Sequence, residues 1–448
     1  MSSRTSRRCS AELGAADPVS TIPASTIYAL ASGRPPAAIA IIRVSGPQAH
    51  EAGRRIAGEL PEVREIALRE LKHPGTGLLL DRALVLRFDA PASSTGEDVV
   101  EFHIHGGRAV ADAVLDALAS LDGLRLAKPG EFTRRALENG RIDLTEAEGL
   151  ADLIEAETES QRRAALALAE GGLRRQIEQW QQRLLDLSAR AERAIDYDEE
   201  DHQGADPQLS SDCGALATEL QEWLARPRIE PLRDGVRVVV AGPPNAGKSS
   251  LLNAIAGTER AIVTDIPGTT RDHIEVPLAV DGIPLLLTDT AGLRISDELV
   301  ERIGVERSEA LIEAADILLW LGEPEVAPVH ERLILVHAKC DLPDRREVPP
   351  GSVPVSSLTG EGIRALLERV AELAPWLLPG EDALALNRRQ AAHLEEAQAA
   401  LVRASHSGDI VTLAEDLRLT RGAFDRLTGR ASVEDVLDAL FSRFCLGK

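Results

Sequence analysis

The chain has 448 residues and a formal net charge of −22, with 44% hydrophobic and 27% charged residues. That length holds about two to four domains with cores of their own, and the composition is that of an ordinary water-soluble chain. The acidic balance excludes a broad electrostatic footprint on nucleic acid, leaving a local basic patch or a partner that supplies the positive surface.

Residues 1–24 have no apolar core of the kind a secretory signal needs and no amphipathic period, and are expected to be a disordered tail. Residues 25–140 suggest an α+β domain with strands over Ala38–Val44, Arg82–Phe88 and Val99–Ile104. His103 and His105 share one face of the last strand; with no third ligand nearby they form a polar face ending at the Gly106-Gly107 turn, not a metal site. Over 141–233 the pattern turns helical. Leu173, Ile177, Trp180, Leu184, Leu187, Ala191 and Ala194 recur at steps of four and three, a bundle seam. An acidic, turn-rich break over Asp196–Pro207 precedes a helix over Gly214–Ala225. Residues 234–378 alternate strand and helix. Helical pattern resumes over 379–448, as a block from Leu386 to Leu417 and a last helix over Val433–Phe444 with Ser432 as N-cap. The expected architecture is an α/β domain inserted into a helical bundle whose two halves meet in space.

No apolar run approaches the roughly 20 residues of a membrane-spanning helix, so no membrane association is expected. Cys9, Cys213, Cys340 and Cys445 are scattered without a Cys-x-x-Cys pair, which argues against a disulfide framework or zinc site and for a reducing cytoplasm. Lysine occurs only at Lys72, Lys128, Lys248, Lys339 and Lys448, so an ammonium retained at Lys248 and Lys339 suggests a need for it.

That need has a setting. Gly242-Pro-Pro-Asn-Ala-Gly-Lys-Ser249 follows the apolar run Val236–Ala241 and opens a helical segment. In this strand–loop–helix context backbone N–H groups wrap a β-phosphate, Lys248 reaches β/γ oxygens and the Ser249 hydroxyl ligates Mg²⁺. Pro267-Gly-Thr-Thr-Arg-Asp272 supplies threonines suited to a switch that closes on the γ-phosphate. A strand over Pro284–Thr288 ends in Asp289-Thr-Ala-Gly292, a second Mg²⁺ element with Gly292 offering its N–H. Ala338-Lys-Cys-Asp341 resembles the guanine-reading Asn-Lys-x-Asp: Asp341 accepts from guanine N1 and N2, and the Lys339 stem covers the base. Ala338 lacks the amide that ties this loop to the phosphate loop, so affinity is expected to be lower with guanine choice intact. Val355-Ser-Ser-Leu358 fits the last guanine element. Together these predict a translation-factor-type GTPase. Leu293 stands where Ras-like enzymes carry a water-orienting Gln, and no arginine is placed as a finger in cis; the Asn245 carbonyl is instead suited to a monovalent cation.

From about Thr26 to Lys448 the chain resembles the bacterial tRNA modification GTPase family, MnmE or TrmE. The resemblance rests on Ser94-Thr-Gly-Glu-Asp98, Pro129-Gly-Glu-Phe-Thr-Arg134, Asn139-Gly-Arg-Ile-Asp143 and Phe444-Cys-Leu-Gly-Lys448, beyond the general GTPase motifs. It implies a multidomain α+β and α/β fold: an N-terminal folate-binding-type domain, a helical bundle and an inserted Ras-like G domain. It implies GTP binding by Asn245, Ala246, Gly247, Lys248, Ser249 and Ser250, by Thr264, Asp265, Ile266, Pro267, Gly268, Thr269 and Thr270, by Asp289, Thr290, Ala291 and Gly292, and by Lys339, Asp341, Ser356, Ser357 and Leu358. Mg²⁺ would sit on Ser249 and Thr270, and K⁺ among Asn245, Thr264, Ile266 and Thr269. Glu301 matches the residue that orients the attacking water through a further water. The residues alone leave it equally a member of the solvated acidic face Asp297–Glu306.

The same resemblance implies a homodimer through the N-terminal domains, and a 5,10-methylene- or 5-formyl-tetrahydrofolate contacted by Arg43, Glu101, Arg141 and Lys448. Ser32-Gly-Arg-Pro-Pro-Ala-Ala38 replaces a more glycine-rich loop before Arg43, which bears on the neighbouring folate contacts. Cys445 has two readings, a thiol in the modification step or an inert cysteine on the last helix. The implied partners are the FAD- and NADH-using flavoprotein MnmG, in a heterotetramer or larger, and tRNA. The competing reading, an Era- or Der-like ribosome-assembly switch, requires a KH-like domain or a second G domain, and neither pattern is in the sequence.

Overall fold

The structure, a computed structural model, describes residues 25–201, 207–257, 275–280, 282–289, 309–380, 383–431, 434–442, 444 and 447. Two compact units emerge: residues up to Arg141 together with Asp438 onward, and Ile142–Leu437.

The first unit runs β1 (Thr26–Leu30), β2 (Ile39–Ser45), α1 (Ala49–Ala57), β3 (Ile66–Lys72), β4 (Leu79–Phe88), β5 (Val99–His105), α2 (Arg108–Ala119), β6 (Leu124–Leu126) and α3 (Glu131–Glu138). Its six strands lie in the order β3-β4-β5-β2-β1-β6, antiparallel except for the β1–β6 pair. One face is apolar: Ala40, Ile42, Val44, Ala83, Val85, Val100, Phe102 and Ile104 pack with α1 and α2 into one core. The alternate residues face outward, among them Glu101 and His103, as period-2 side-chain alternation requires. β1, β3 and β6 escape the sequence reading. β3 is an edge strand whose exposed Ile66 and Leu68 do not mark an inward face.

Among the described residues the second unit has a helical core and apolar clusters on both faces of a sheet. The helical one is built from α4 (Leu144–Glu155), α5 (Glu159–Ala169), α6 (Gly172–Asp201) and α7 (Pro207–Leu224), and from α11 (Arg388–His406) and α12 (Ile410–Thr428) much later in the chain. Trp180 of the α6 seam is fully buried. Its ring lies 5.3 Å from that of Trp223 on α7 and 6.0 Å from that of Phe424 on α12. Helices before and after the inserted segment therefore share one core. Capping boxes start three of them: Asp143 with Glu146, Thr158 with Gln161, and Asn387 with Gln390.

Several boundaries differ from expectation, and α6 itself runs to Asp201, into the break expected over Asp196–Pro207. α7 begins at Pro207, not Gly214, because Leu209, Cys213, Leu216 and Leu220 continue one buried stripe and proline suits a first turn. The block Leu386–Leu417 is two helices, broken at Ser407-Gly408 where Asp409 caps α12 by accepting from the Thr412 N–H at 2.9 Å. The last helix, α13 (Glu434–Phe441), is shorter than expected; its suggested N-cap, Ser432, lies outside the described residues.

Between the helical halves, α8 (Glu230–Arg233) leads into β7 (Val236–Ala241), α9 (Lys248–Ala256), β8 (Glu275–Val280), β9 (Ile283–Asp289), β10 (Ile317–Trp320), β11 (Leu333–Ala338), β12 (Ser352–Val355) and α10 (Ile363–Leu373). Strand order is β12-β11-β10-β7-β9-β8, parallel except for the β8 edge. β7 reads Val-Arg-Val-Val-Val-Ala because a central parallel strand is covered on both faces. It lies between β9 and β10, so the chain departs from it in both directions and leaves a crevice at its C-terminal end.

Candidate functional site

That crevice holds the loop from Gly242 to Gly247. Gly242, Asn245 and Gly247 have φ of 150°, 62° and 105°, which turn the backbone so that α9 starts at Lys248. A glycine is needed at Gly247, where φ is left-handed. Lys248 is buried, and its Nζ donates to the carbonyls of Gly242 at 2.8 Å and Pro243 at 3.0 Å. Burial pushes its pKa below the ordinary ammonium range, and the charge of Asp289 partly restores it. A phosphate here would add a second negative charge opposite the ammonium. The Ser249 hydroxyl donates to the Asp289 carboxylate, which joins the end of β9 to the start of α9. A hydroxyl beside a carboxylate is a hard-oxygen pair that fits Mg²⁺.

The loop that follows β11 stands next to this cradle. Lys339 has a φ of 61°, and its Nζ donates to the backbone carbonyl of Asn245 at 2.8 Å. The tie that Ala338 cannot make is thus supplied by the adjacent ammonium, while the Ala338 methyl packs in the sheet core. Cys340 N–H donates to Val355 O at 3.3 Å, which joins this loop to the end of β12. There Ser356 is fully buried and its hydroxyl accepts from the Thr359 N–H at 3.1 Å; Leu358 is exposed and Ser357 half-buried. Asn245, Ala246, Gly247, Lys248, Ser249, Ser250, Asp289, Lys339, Asp341 and Ser356–Leu358 therefore lie on the elements expected of them. Thr264, Asp265, Ile266, Pro267, Gly268, Thr269, Thr270, Thr290, Ala291, Gly292 and Glu301 lie outside the described residues.

In the N-terminal unit Arg43 and Glu101 face each other across β2 and β5, with Nε–Oε1 at 2.8 Å. The guanidinium also stacks 5.6 Å from the Phe132 ring centroid, and Glu101 reaches His103 Nε2 at 3.3 Å. Arg141 is exposed, its aliphatic stem passing over Gly96. Lys448 and Cys445 lie outside the described residues; Gly447 lies against Leu30, which pairs with Ile42 beside Arg43.

The sequence reading missed a polar network. Arg135 on α3 donates to both Glu97 oxygens (3.1 and 2.9 Å), to Glu131 (3.1 Å) and to Ser25 O (2.8 Å). Ser45 donates to Glu97 at 2.7 Å, and Asn139 donates to the Thr95 carbonyl at 2.8 Å. Ser45, residues 94–98 and residues 131–139 meet here, and no spacing rule announces that. His50 stands between Asp89 and Asp98 at 3.3 and 3.5 Å, but it spends a different ring nitrogen on each, and Arg87 grips Asp89. One ligand atom from each of His50, Asp89 and Asp98 lies within 4.8 Å of the other two.

Comparison with known proteins agrees with this geometry. The MnmE helical domain family matches residues 144–445, and the GTP-binding protein TrmE N-terminus family matches residues 26–141. The tRNA modification GTPase MnmE of Rhizorhabdus wittichii is 53% identical over 429 residues, covering 94% of this chain and 96% of that one. The MnmE of Novosphingobium aromaticivorans is 50% identical over 436 residues, covering 94% and 99%. Among solved structures, the G domain of the T. maritima FeoB iron transporter aligns at 27% identity over 31% of this chain and 98% of that one, with a TM-score of 0.23. So partial an overlap leaves the assignment to the sequence relatives. On those relatives, the chain belongs to the MnmE family of tRNA modification GTPases.

Proposed function

We propose that this chain is a potassium-activated GTPase that, with MnmG and its FAD and NADH, adds an aminomethyl or carboxymethylaminomethyl group at C5 of the wobble uridine of certain tRNAs. The observation that carries the reading is the buried Lys248 ammonium beside Ser249 and Asp289, in a chain half identical to MnmE proteins over nearly its whole length. Residues 234–378 are the G domain, 25–140 the dimerisation and folate domain, and 141–233 with 379–448 the helical domain. Ser249 and Thr270 hold Mg²⁺, which neutralises phosphate charge; Asn245, Thr264, Ile266 and Thr269 hold K⁺ where an arginine finger's charge would stand. Glu301 orients the attacking water. Arg43, Glu101, Arg141 and Lys448 contact a 5,10-methylene- or 5-formyl-tetrahydrofolate, the one-carbon source, and Cys445 is a candidate thiol for that step.

Homodimerisation is supported by the outward sheet face, where Ile39, Ile66, Leu68 and Leu84 are exposed. The active assembly is a heterotetramer with MnmG, or larger, in the cytoplasm. No helix among the described residues is long and apolar enough to cross a membrane. GTP hydrolysis resets the pairing of G domains and does not itself perform the carbon chemistry. An Era- or Der-like role is disfavoured by the full-length match to MnmE proteins.

Mass spectrometry of tRNA from cells lacking this protein tests the reading: unmodified wobble uridines are expected, and intact modification overturns it. Replacing KCl with NaCl should slow GTP turnover of the purified protein at least tenfold or so if a fixed cation supplies charge stabilisation at the transition state. Equal rates remove the potassium role.

A further inference from the structure

Ala338 leaves the guanine loop without an amide tie at that position, so the question is what else fixes Lys339 and Asp341. Lys339 adopts a left-handed φ of 61°, a conformation a non-glycine residue keeps only when its surroundings hold it. The loop is laced by Leu342 N–H to Lys339 O at 3.1 Å and Arg345 N–H to Leu342 O at 3.0 Å. Its ends meet in a third contact. His337, 8% exposed on β11 just before the loop, places Nε2 2.8 Å from the Arg345 carbonyl and Nδ1 3.4 Å from Arg345 Nη2. One tautomer serves both: Nε2–H donates to the carbonyl and Nδ1 accepts from the guanidinium. Arg345 Nε is buried with no hydrogen-bond partner, an arrangement that general packing does not favour.

We propose that His337 and Arg345 form a clasp that closes the loop Ala338–Asp344 into a ring and thereby presents Lys339 and Asp341 to guanine. His337 is a positioning residue: it touches no nucleotide and acts by restricting the segment that does. The inference rests on reading Lys339 and Asp341 as the base-contacting pair. Closing the ring before the nucleotide arrives removes an ordering cost that binding would otherwise carry. Lys339 fastens the loop to the phosphate cradle through Asn245; the clasp fastens the loop to its own strand.

The test measures dissociation of a fluorescently labelled GDP, KM and kcat for GTP, and thermal melting, in the full-length protein. His337→Phe keeps a buried aromatic ring and removes both nitrogens. It should raise the GDP Kd about tenfold, the scale of one buried hydrogen bond lost together with a stranded carbonyl, chiefly through faster dissociation. The loss should appear in KM, with kcat at saturating GTP within about twofold, as expected when only binding is impaired. Arg345→Ala keeps the carbonyl and should cost about two- to threefold, because the bond it removes is the longer one. His337→Gln, which retains a donor, should recover part of the affinity lost in His337→Phe.

Wild-type Kd and dissociation rate in His337→Phe overturn the clasp, as does a Kd change accompanied by an equal loss in kcat. Should phenylalanine unfold the strand, Arg345→Ala decides, and an unchanged GDP dissociation rate there overturns it as well. A wild-type protein that takes up no GDP instead overturns the nucleotide-site reading itself, so the two failures are distinguishable.

Discussion

The N-terminal sheet and the nucleotide-domain sheet each have six strands, yet they handle polar groups in opposite ways. Around Arg135, carboxylates, hydroxyls and a backbone carbonyl are all closed by protein partners, with side chains of Arg135 and Glu97 only 9% and 16% exposed. Around Lys248, the ammonium rests on the carbonyls of its own loop, beneath a crevice at the sheet's C-terminal edge. The first arrangement is already satisfied, so disturbing it should register in stability. The second is completed by a ligand, so disturbing it should register in binding and turnover.

The largest expected effect is on the open cradle. Lys248→Ala should lower GTP turnover by at least about 100-fold, since preorganised positive charge supplies much of phosphoryl-transfer catalysis. Its melting temperature should stay near wild type, because water can replace the lysine on the two carbonyls. Phosphate release and calorimetry measure both, and preserved turnover would break the contrast.

Next is the closed network. Arg135→Ala strands Glu97, whose one guanidinium partner among the described residues it is, and should destabilise the N-terminal unit by about 3–5 kcal/mol, as removal of one partner of a buried ion pair does. Denaturant unfolding followed alongside GTP turnover should show the first falling and the second unchanged. A loss under about 1 kcal/mol would mean the network behaves like surface ion pairs.

The same network sets an acid limit. Burial alone would raise the Glu131 pKa, but hydrogen bonds from Arg125 and the Lys128 N–H, with the charges of Arg125 and Arg135, outweigh it and hold the carboxyl at about 2. A pKa depressed in the folded state contributes stability above the unfolded value and loses it as pH falls through the folded one. The N-terminal unit should therefore lose up to about 3 kcal/mol between roughly pH 5 and pH 2 through this group, and Glu131→Gln should flatten that slope. A variant with the wild-type acid profile would remove Glu131 from the account. The smallest effect is expected for Ala338→Asn. With Lys339 already tied to Asn245, GDP affinity should rise by no more than about threefold, one weak hydrogen bond's worth.

The phosphate cradle was legible in the sequence because each of its parts is local: an apolar strand, glycines at fixed steps, then a helix start. So was the α6 seam, where a four-and-three period names its buried face without reference to what covers it. β3 was not legible, because an edge strand with outward leucine and isoleucine carries no inward pattern, and neither was the exact start of α7.

What the sequence determined by itself was therefore the placement of contiguous residues: Lys248 and Ser249 at a helix start, Asp289 at a strand end, Lys339 and Asp341 after another. What only the tertiary structure decided was the meeting of residues far apart in the chain. Arg135 reaches Glu97, Lys339 reaches Asn245, and Trp180 packs on Phe424. Periodicity and spacing report which way a side chain points along its own element. They carry no information about which distant element it meets, because that is set by how sheets and helices pack around a shared core.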